Sequence, residues 1–424
     1  MSKPLILAMA GLLATCSSVL ANDWPQWLGP DRNCRTSETV GVWTGDLPVV
    51  WRQKVGQAQC CPAIAEGRVF VHGAASGKDA EEVVAFDAAT GEQLWRDEYT
   101  RKAYRNQQGA GPRATPSVVA GRLYTTGITG TITCYDAATG KRHWQVNPWE
   151  ALSVNVPRFG VCSSPAVTES RVIVPVGSKG SAIIALDAQT GAIAWQKFDE
   201  PAAASSPVLI TRSVGGGPRP EVIVQTTLRV LGLNPEDGSI YWEHPLVFQP
   251  SGIAPTPLAT SDLVVVSTQD HGTTTFKAVS DDGAPRQVWW KQDLSSYFST
   301  GSLNLARNEV YLLTNQIQPI PRADLVAVDL TTGETRWTRK AIGYFHAGLI
   351  FTGDNRLLIL EDTGNLLLAE PTADKFVELA KSKACKGTMI NPALSNGIVY
   401  VRDDEEVVAL KLPPAERTKE AGSQ

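Results

Sequence analysis

The chain has 424 residues, with 39 basic and 43 acidic side chains, a formal net charge of −4 and an isoelectric point near 5.8. This balance gives no electrostatic argument for binding nucleic acid or an anionic membrane surface, both of which attract basic proteins. Apolar residues make up 43% and charged residues 19% of the chain, as in an ordinary globular protein with a buried core.

The N-terminus has the features of an export signal. Lys3 supplies a positive charge, LILAMAGLLA at 5–14 forms a short apolar segment, and SVLA at 18–21 ends in small residues of the A-x-A type. We therefore expect cleavage after Ala21 and a periplasmic or secreted mature protein. No other stretch approaches the roughly 20 apolar residues of a transmembrane helix.

The seven cysteines leave one alternative open for the N-terminus. Cys16 lies in LATC, which partly resembles a lipoprotein processing site, and its lipidation would tether the protein to a membrane, although Thr15 fits such a site poorly. The other six cysteines are sparsely spaced and contain no C-x-x-C pair. They indicate neither a disulfide scaffold nor a zinc or c-type haem site.

A leader at 22–46, which contains WPQWLGPDRN at 24–33, precedes a single predicted strand. That strand, LPVVWRQKV at 47–55, carries Trp51 and has no strand pattern before it with which to pair.

After this strand, one phrase recurs along the chain. AFDAATGEQLW at 85–95 returns in closely similar form at 134–144, 185–195 and 327–337. Six aligned tryptophans are spaced 47 to 51 residues apart: Trp95, Trp144, Trp195, Trp242, Trp289 and Trp337. An Asp or Asn at a strand end and a Gly four residues later predict a hairpin loop, and the Trp then lies on the following strand, where it can pack between sheets.

Each repeat also contains two earlier strands, as in CPAIAEGRVFVHG at 61–73 and TPSVVAGRLYTTG at 115–127. Four short strands in about 48 residues are typical of a β-propeller blade. Eight blades are predicted to begin near 61, 115, 164, 206, 256, 302, 349 and 391.

The predicted ring closes through the two ends of the chain. The last repeat, 391–412, has three strands and lacks its tryptophan strand, which the strand at 47–55 can supply. The fold class is therefore all-β, an eight-bladed propeller with four-stranded antiparallel blades over 47–412. Blades five and seven depart from the pattern, and the polar tail 413–424 is predicted to be disordered.

The A-x-D-x-x-T-G-x-x-x-W phrase at this period, together with the leader motif, resembles the exported PQQ-like, or quinoprotein-type, β-propeller family. It is similar to the propeller lipoprotein of the outer-membrane β-barrel assembly machine. The resemblance covers roughly 24–412 and is specific for the fold rather than for an activity. It implies a non-catalytic binding or scaffold protein of the cell envelope, without a cofactor. The alternative is a PQQ- and Ca²⁺-dependent dehydrogenase that oxidises an alcohol or a sugar.

Cys60 and Cys61 bear on that alternative, because quinoprotein alcohol dehydrogenases place a disulfide between adjacent cysteines against the PQQ. This pair stands at the corresponding place in its blade and could form a vicinal disulfide. Other repeats have small residues there, such as Ser163–Ser164, so two structural thiols are the other interpretation. No run of calcium ligands and no haem motif is evident. We therefore assign no catalytic or metal residues.

The connections between blades suggest a binding site. Three of them carry a Phe at a matched place, in PRFGVCSS, SYFSTGS and GYFHAGL. The candidate residues are Arg113, Arg158, Phe159, Phe298, Phe345 and His346. They would form an aromatic, cationic channel mouth for a small anionic ligand or an extended segment of an envelope protein. The alternative is that the aromatic rings fill the channel as core.

Overall fold

The computed structural model describes residues 22–247, 254–279, 284–317 and 319–415. Eight four-stranded antiparallel sheets are arranged in chain order as the blades of a propeller, which confirms the predicted fold class and number of blades. The predicted signal segment, with Cys16, lies outside the described residues, as does the tail from 416 onward.

The strands are given from the inner to the outer edge of each blade. Blade 1 consists of β2 (Ala63–Ala65), β3 (Arg68–Ala74), β4 (Ala80–Asp87) and β5 (Gln93–Thr100). Blade 2 consists of β6 (Ser117–Val119), β7 (Arg122–Thr126), β8 (Ile132–Asp136) and β9 (Arg142–Val146). Blade 3 consists of β10 (Ala166–Val167), β11 (Arg171–Ser178), β12 (Ser181–Asp187) and β13 (Ile193–Lys197). Blade 4 consists of β14 (Val208–Val214), β15 (Gly217–Gln225), β16 (Arg229–Leu233) and β17 (Ile240–Pro245).

Blades 5 to 8 repeat this order. Blade 5 consists of β18 (Leu258–Ala259), β19 (Leu263–Thr268), β20 (Gly272–Lys277) and β21 (Arg286–Lys291). Blade 6 consists of β22 (Ser302–Asn304), β23 (Glu309–Gln316), β24 (Arg322–Asp329) and β25 (Thr335–Gly343). Blade 7 consists of β26 (Ala347–Phe351), β27 (Leu357–Glu361), β28 (Asn365–Pro371) and β29 (Phe376–Lys383). Blade 8 consists of β30 (Ala393–Ser395), β31 (Ile398–Arg402), β32 (Glu406–Lys411) and β1 (Val49–Lys54). A helical turn, α1 (Pro148–Ala151), precedes blade 3, and a 3₁₀ turn (Leu305–Arg307) follows β22.

The N-terminal strand closes the ring as predicted. β1 pairs antiparallel with β32, with Trp51 opposite Ala409. Beyond the strands, the Gly41 N–H donates to the Pro413 carbonyl at 2.8 Å. Because the first strand is hydrogen-bonded to the last, neither of these two edges is left unpaired.

The repeated tryptophans join each blade to the next one. Trp95 of blade 1 packs on Gly140, in the hairpin loop of blade 2, and its Nε1–H donates to the Ala137 carbonyl at 3.1 Å. Gly140 has φ +71°, and a Cβ there would lie 2.5 Å from the indole ring. The same donation to a carbonyl of the following blade is made by Trp51, Trp144, Trp195, Trp289 and Trp337. The repeat therefore encodes contacts between blades as well as turns within them.

The propeller has two different faces. The connection face carries the segments that run from the outer strand of one blade to the inner strand of the next, together with the loops between second and third strands. The hairpin face carries the Asp–Gly loops and the turns between first and second strands. In those loops the carboxylate accepts backbone N–H groups, as Asp87 does from Thr90 at 2.9 Å and Ala89 at 3.0 Å, and these bonds lower the pKa of Asp87.

Candidate functional site

The leader occupies the central channel, a position that its sequence did not predict. Trp24 and Ile64 of blade 1 exchange two backbone hydrogen bonds of 2.9 and 2.8 Å. The Phe351 N–H of blade 7 donates to the Cys34 carbonyl at 2.7 Å. The Trp27 indole N–H donates to the Thr256 hydroxyl, just before blade 5, at 2.9 Å.

Further contacts extend the leader to every blade. The Pro25 carbonyl accepts a hydrogen bond from the Val118 N–H of blade 2, and the Arg32 side chain donates to the residues that precede the inner strands of blades 3 and 4. The Asn33 carbonyl accepts from the Ser302 hydroxyl of blade 6. The Glu38 carboxylate accepts from the Gly397 N–H of blade 8. Two tryptophans, Trp24 and Trp27, stand close together at the start of the leader, and such large apolar side chains favour a buried position. This is the sequence feature from which the position of the leader could have been suspected.

In the structure Cys60 and Cys61 are free thiols, and the two residues are 0% and 1% exposed. The Cys60 thiol donates to the His72 carbonyl at 3.3 Å, and a guanidinium nitrogen of Arg402 lies 3.7 Å from its sulfur. Burial raises the pKa of Cys61 to about 12 and raises the pKa of Cys60. Both groups are therefore neutral thiols at physiological pH.

The cysteine pair belongs to a belt of small side chains that links neighbouring blades. The Cys61 N–H donates to the Thr115 hydroxyl at 3.1 Å, and the Thr115 N–H donates to the Ser164 hydroxyl at 2.9 Å. The Ser164 N–H in turn donates to Ser206 at 2.9 Å. The belt explains why every blade in this series has a small polar or sulfur-containing residue at this place.

The residues present do not fit a PQQ and calcium site. The two sulfurs are covered, so they offer no surface on which a planar quinone could stack. Within the described ranges, no group of three or more His, Cys, Asp or Glu side chains is arranged to hold a metal ion. A calcium site requires six to eight oxygen ligands.

Three of the candidate residues lie on the connection face at blades 2 and 3, in what we call the cationic cluster (Tyr104, Arg113, Arg158 and Phe159). The Arg158 guanidinium lies 5.4 Å from the centre of the Phe159 ring, and Tyr104 donates to the Arg158 carbonyl at 2.8 Å. Arg113 donates to the side chains of Gln59 and Gln108. In the part of the chain that the structure describes, neither arginine has a carboxylate within ion-pair distance, so their charges are not neutralised locally.

Four other aromatic residues form a second group, the aromatic patch (Tyr297, Phe298, Tyr344 and Phe345), at blades 6 and 7, and loops on the same face carry the exposed Ile320 and Met389. The Asn315 side chain accepts from the Tyr297 N–H at 2.9 Å and donates to the Phe345 carbonyl at 2.8 Å. Asp362 accepts from the N–H groups of Tyr344 and Phe345 at 2.9 and 2.6 Å. These bonds hold aromatic side chains at the surface, where Tyr344 is 59% exposed.

The candidate residues lie on two sides of the connection face. Blades 2 and 3 stand across an eight-membered ring from blades 6 and 7, and the leader occupies the channel between them. His346 is buried, shares a 2.7 Å hydrogen bond with Ser299 and has its pKa lowered to about 4 by burial. It is neutral at physiological pH and adds no positive charge to this face.

Across the described ranges, the helices are too short and too polar for any of them to traverse a lipid bilayer.

Comparison with known proteins identifies the family. The family model for the outer membrane protein assembly factor BamB matches residues 44–104 and 79–339. The chain belongs to this family. The BamB protein of Yersinia pestis is 27% identical over 287 residues, which cover 65% of this chain and 68% of that protein.

Quinone-dependent dehydrogenases match shorter parts of this chain in sequence. The dehydrogenase subunit of the quinone alcohol dehydrogenase of Gluconacetobacter polyoxogenes is 33% identical over 146 residues, or 30% of this chain and 19% of that subunit. The crystal structure of the quinohemoprotein alcohol dehydrogenase of Comamonas testosteroni aligns with a TM-score of 0.66 at 16% identity, covering 95% of this chain and 82% of the other. At this identity the likeness concerns the fold alone.

Proposed function

We propose that this protein is an exported, non-catalytic propeller that acts as a binding or scaffold protein in the cell envelope, with another envelope protein as its partner. The observation that carries the proposal is the leader in the channel, because it occupies the space in which a propeller would enclose a small molecule. Membership in the family of outer membrane protein assembly factors supports a role in assembling other envelope proteins.

The connection face is the surface we assign to the partner. The aromatic patch offers exposed rings, and Met389 lies on the same face; both residue types are enriched at protein interfaces. The cationic cluster, on the other side of the ring, offers two arginines that have no carboxylate partner among the described residues. An acidic segment of a protein partner, or a small anionic ligand, would complement these charges.

The interface is tested by co-purification from envelope extracts with tagged protein. We expect the double variant Tyr344→Ala/Phe345→Ala to lose its co-purifying partner while remaining folded. The control is Leu305→Ala, which truncates an apolar side chain that is 50% exposed on the hairpin face. Equal loss in the control and the double variant, or loss in neither, contradicts the assignment.

The alternative function is the PQQ- and Ca²⁺-dependent dehydrogenase, which is favoured by the partial sequence match to an alcohol dehydrogenase subunit. If such a site existed, PQQ would supply the oxidation chemistry and the chain would orient it. Mixing the purified protein with PQQ and Ca²⁺ distinguishes the two functions. We expect no bound quinone spectrum and no dye reduction with alcohols or sugars, whereas binding with turnover would replace our proposal.

The location is tested separately. We propose a periplasmic or secreted protein cleaved after Ala21, and mass spectrometry of the mature protein separates this form from one that begins with a lipidated Cys16.

A further inference from the structure

The Arg32 side chain ends inside the channel, where it is 1% exposed. All five of its hydrogen bonds go to uncharged oxygen atoms. The acceptors are the Gln26 amide oxygen at 2.8 Å, the Pro207 carbonyl at 2.8 Å, the Ser164 carbonyl at 3.4 Å, the Ser117 hydroxyl at 3.3 Å and the Pro165 carbonyl. Four of these acceptors belong to blades 2 to 4 and one to the leader itself.

This cluster of oxygens binds the arginine without an ion pair. No aspartate or glutamate in the described ranges lies within ion-pair distance of Arg32. Burial lowers the pKa of its guanidinium to about 9, so the group remains charged at neutral pH. Guanidinium is a planar cation with five N–H donors and is more weakly hydrated than an ammonium group, which suits it to a buried site made of several neutral acceptors.

The channel wall presents acceptors here because of its prolines. Pro165 and Pro207 stand immediately before the inner strands β10 and β14, and their carbonyls face the channel. Since the N–H and C=O of one residue point to the same side of a strand, an ordinary residue would also present a donor to the channel. Proline has no N–H, so at these two places the wall offers oxygen alone.

The leader backbone around Arg32 adopts unusual conformations. Leu28, Arg32 and Cys34 all have left-handed backbones, with φ of 62°, 52° and 58°, although none of them is glycine. Such conformations are unfavourable and persist where the surrounding contacts hold them.

We propose that the channel wall at blades 2 to 4 is a guanidinium-binding site, which the chain fills with its own Arg32. The leader thereby acts as a tethered ligand, and the Arg32 guanidinium links three blades of the ring through its hydrogen bonds. The chemical class that the site takes is a planar guanidinium rather than a cation in general.

Chemical rescue of the full-length protein tests this proposal. We expect Arg32→Ala to lower the melting temperature by roughly 5 °C or more. Millimolar methylguanidinium should recover at least half of that loss, and methylammonium should recover none. Arg32→Lys should melt close to Arg32→Ala, because an ammonium group cannot reach all the acceptors. The control is Arg35→Ala, another arginine of the leader, which lies over the Phe351 ring and should not respond to methylguanidinium.

Three results would overturn the site: an unchanged melting temperature in Arg32→Ala, full stability in Arg32→Lys, or equal recovery with methylguanidinium and methylammonium. If Arg32→Ala does not fold, its refolding yield with the two cations replaces the melting temperature. Hydrogen exchange at Arg32 Nε in the unaltered protein adds an independent readout. Slow exchange is expected for a buried, bonded N–H, and exchange as fast as that of an exposed arginine would also contradict the proposal.

Discussion

The regular blade junctions differ from the junction between blades 4 and 5. At a regular junction the indole N–H meets a neutral backbone carbonyl in the loop of the next blade. Trp242 of blade 4 instead donates to the Glu221 carboxylate of its own blade at 2.9 Å. Blade 5 is the one whose loop sequence displaces the repeat glycine. At this junction a buried carboxylate takes the role that a backbone carbonyl has at the regular ones.

That replacement introduces a charge into the core, and the charge has to be compensated. Glu221 also accepts from Arg212 at 2.9 Å and from Arg219 at 3.0 Å, and Arg212 is itself only 2% exposed. A neutral junction tolerates the loss of one bond, whereas a charged one leaves an unpaired ion when a partner is removed. The two kinds of junction should therefore respond differently to substitution.

The largest expected effect is at the charged junction. Glu221→Ala leaves the buried Arg212 guanidinium without its carboxylate partner. It should lower the free energy of unfolding by about 3–5 kcal/mol, measured by urea denaturation. Arg52→Ala, which breaks an exposed pair with Glu406, should cost no more than about 1 kcal/mol. Similar losses in the two variants would mean that the buried charge is not what distinguishes this junction.

The next effect concerns a regular junction. Gly140→Ala places a methyl group against the Trp95 ring at a left-handed residue and should cost about 2–4 kcal/mol. Gly121→Ala in the same blade has a similar φ of +73° with no atom within 4 Å of the added Cβ, so it should cost only about 1 kcal/mol. The difference in stability loss between the two variants, measured by thermal melting, gives the contribution of the contact between Gly140 and Trp95. Equal losses would show that Gly140 is required only for the left-handed backbone of the turn.

A third junction, between blades 6 and 7, should be sensitive to pH. The pKa of His346 is about 4 in the folded protein, below its ordinary value near 6.5, so the unfolded chain binds a proton in this window and the folded protein does not. Stability should therefore fall by about 1.4 kcal/mol per pH unit as the pH drops from 6.5 towards 4. Urea denaturation of His346→Asn at the same pH values should show a shallower slope. An unchanged slope in this variant would show that His346 does not cause the pH dependence of stability.

The smallest effect compares two tryptophans directly. Trp289 and Trp242 are both buried, but Trp289→Phe loses a bond to a neutral carbonyl and Trp242→Phe loses a bond to a carboxylate. We expect Trp242→Phe to cost about 1 kcal/mol more in the free energy of unfolding. If Trp289→Phe costs as much, the carboxylate adds nothing to the bond.

Features that repeat along the chain could be predicted without the structure. The Asp, Gly and Trp of each hairpin recur at a fixed spacing, and each acts through its nearest neighbours, so the blade count and the closing role of the strand with Trp51 followed from pattern alone. The aromatic and charged side chains of the blade connections were also recognised as surface candidates. It was not foreseen that the leader fills the channel between these side chains, because its contacts with the inner strands follow no repeat.

The amino-acid sequence by itself determined an eight-bladed ring, its closure by the first strand and the turn chemistry of its loops, since these depend on local periodicity and on contacts between consecutive repeats. Only the tertiary structure decided that the leader lies in the channel, that Arg32 binds residues from 85 to 175 positions away along the wall, and that Cys60 and Cys61 are covered. These contacts occur once and join distant parts of the chain, so the repeat pattern does not predict them. They form only when the closed ring brings its inner strands around the leader.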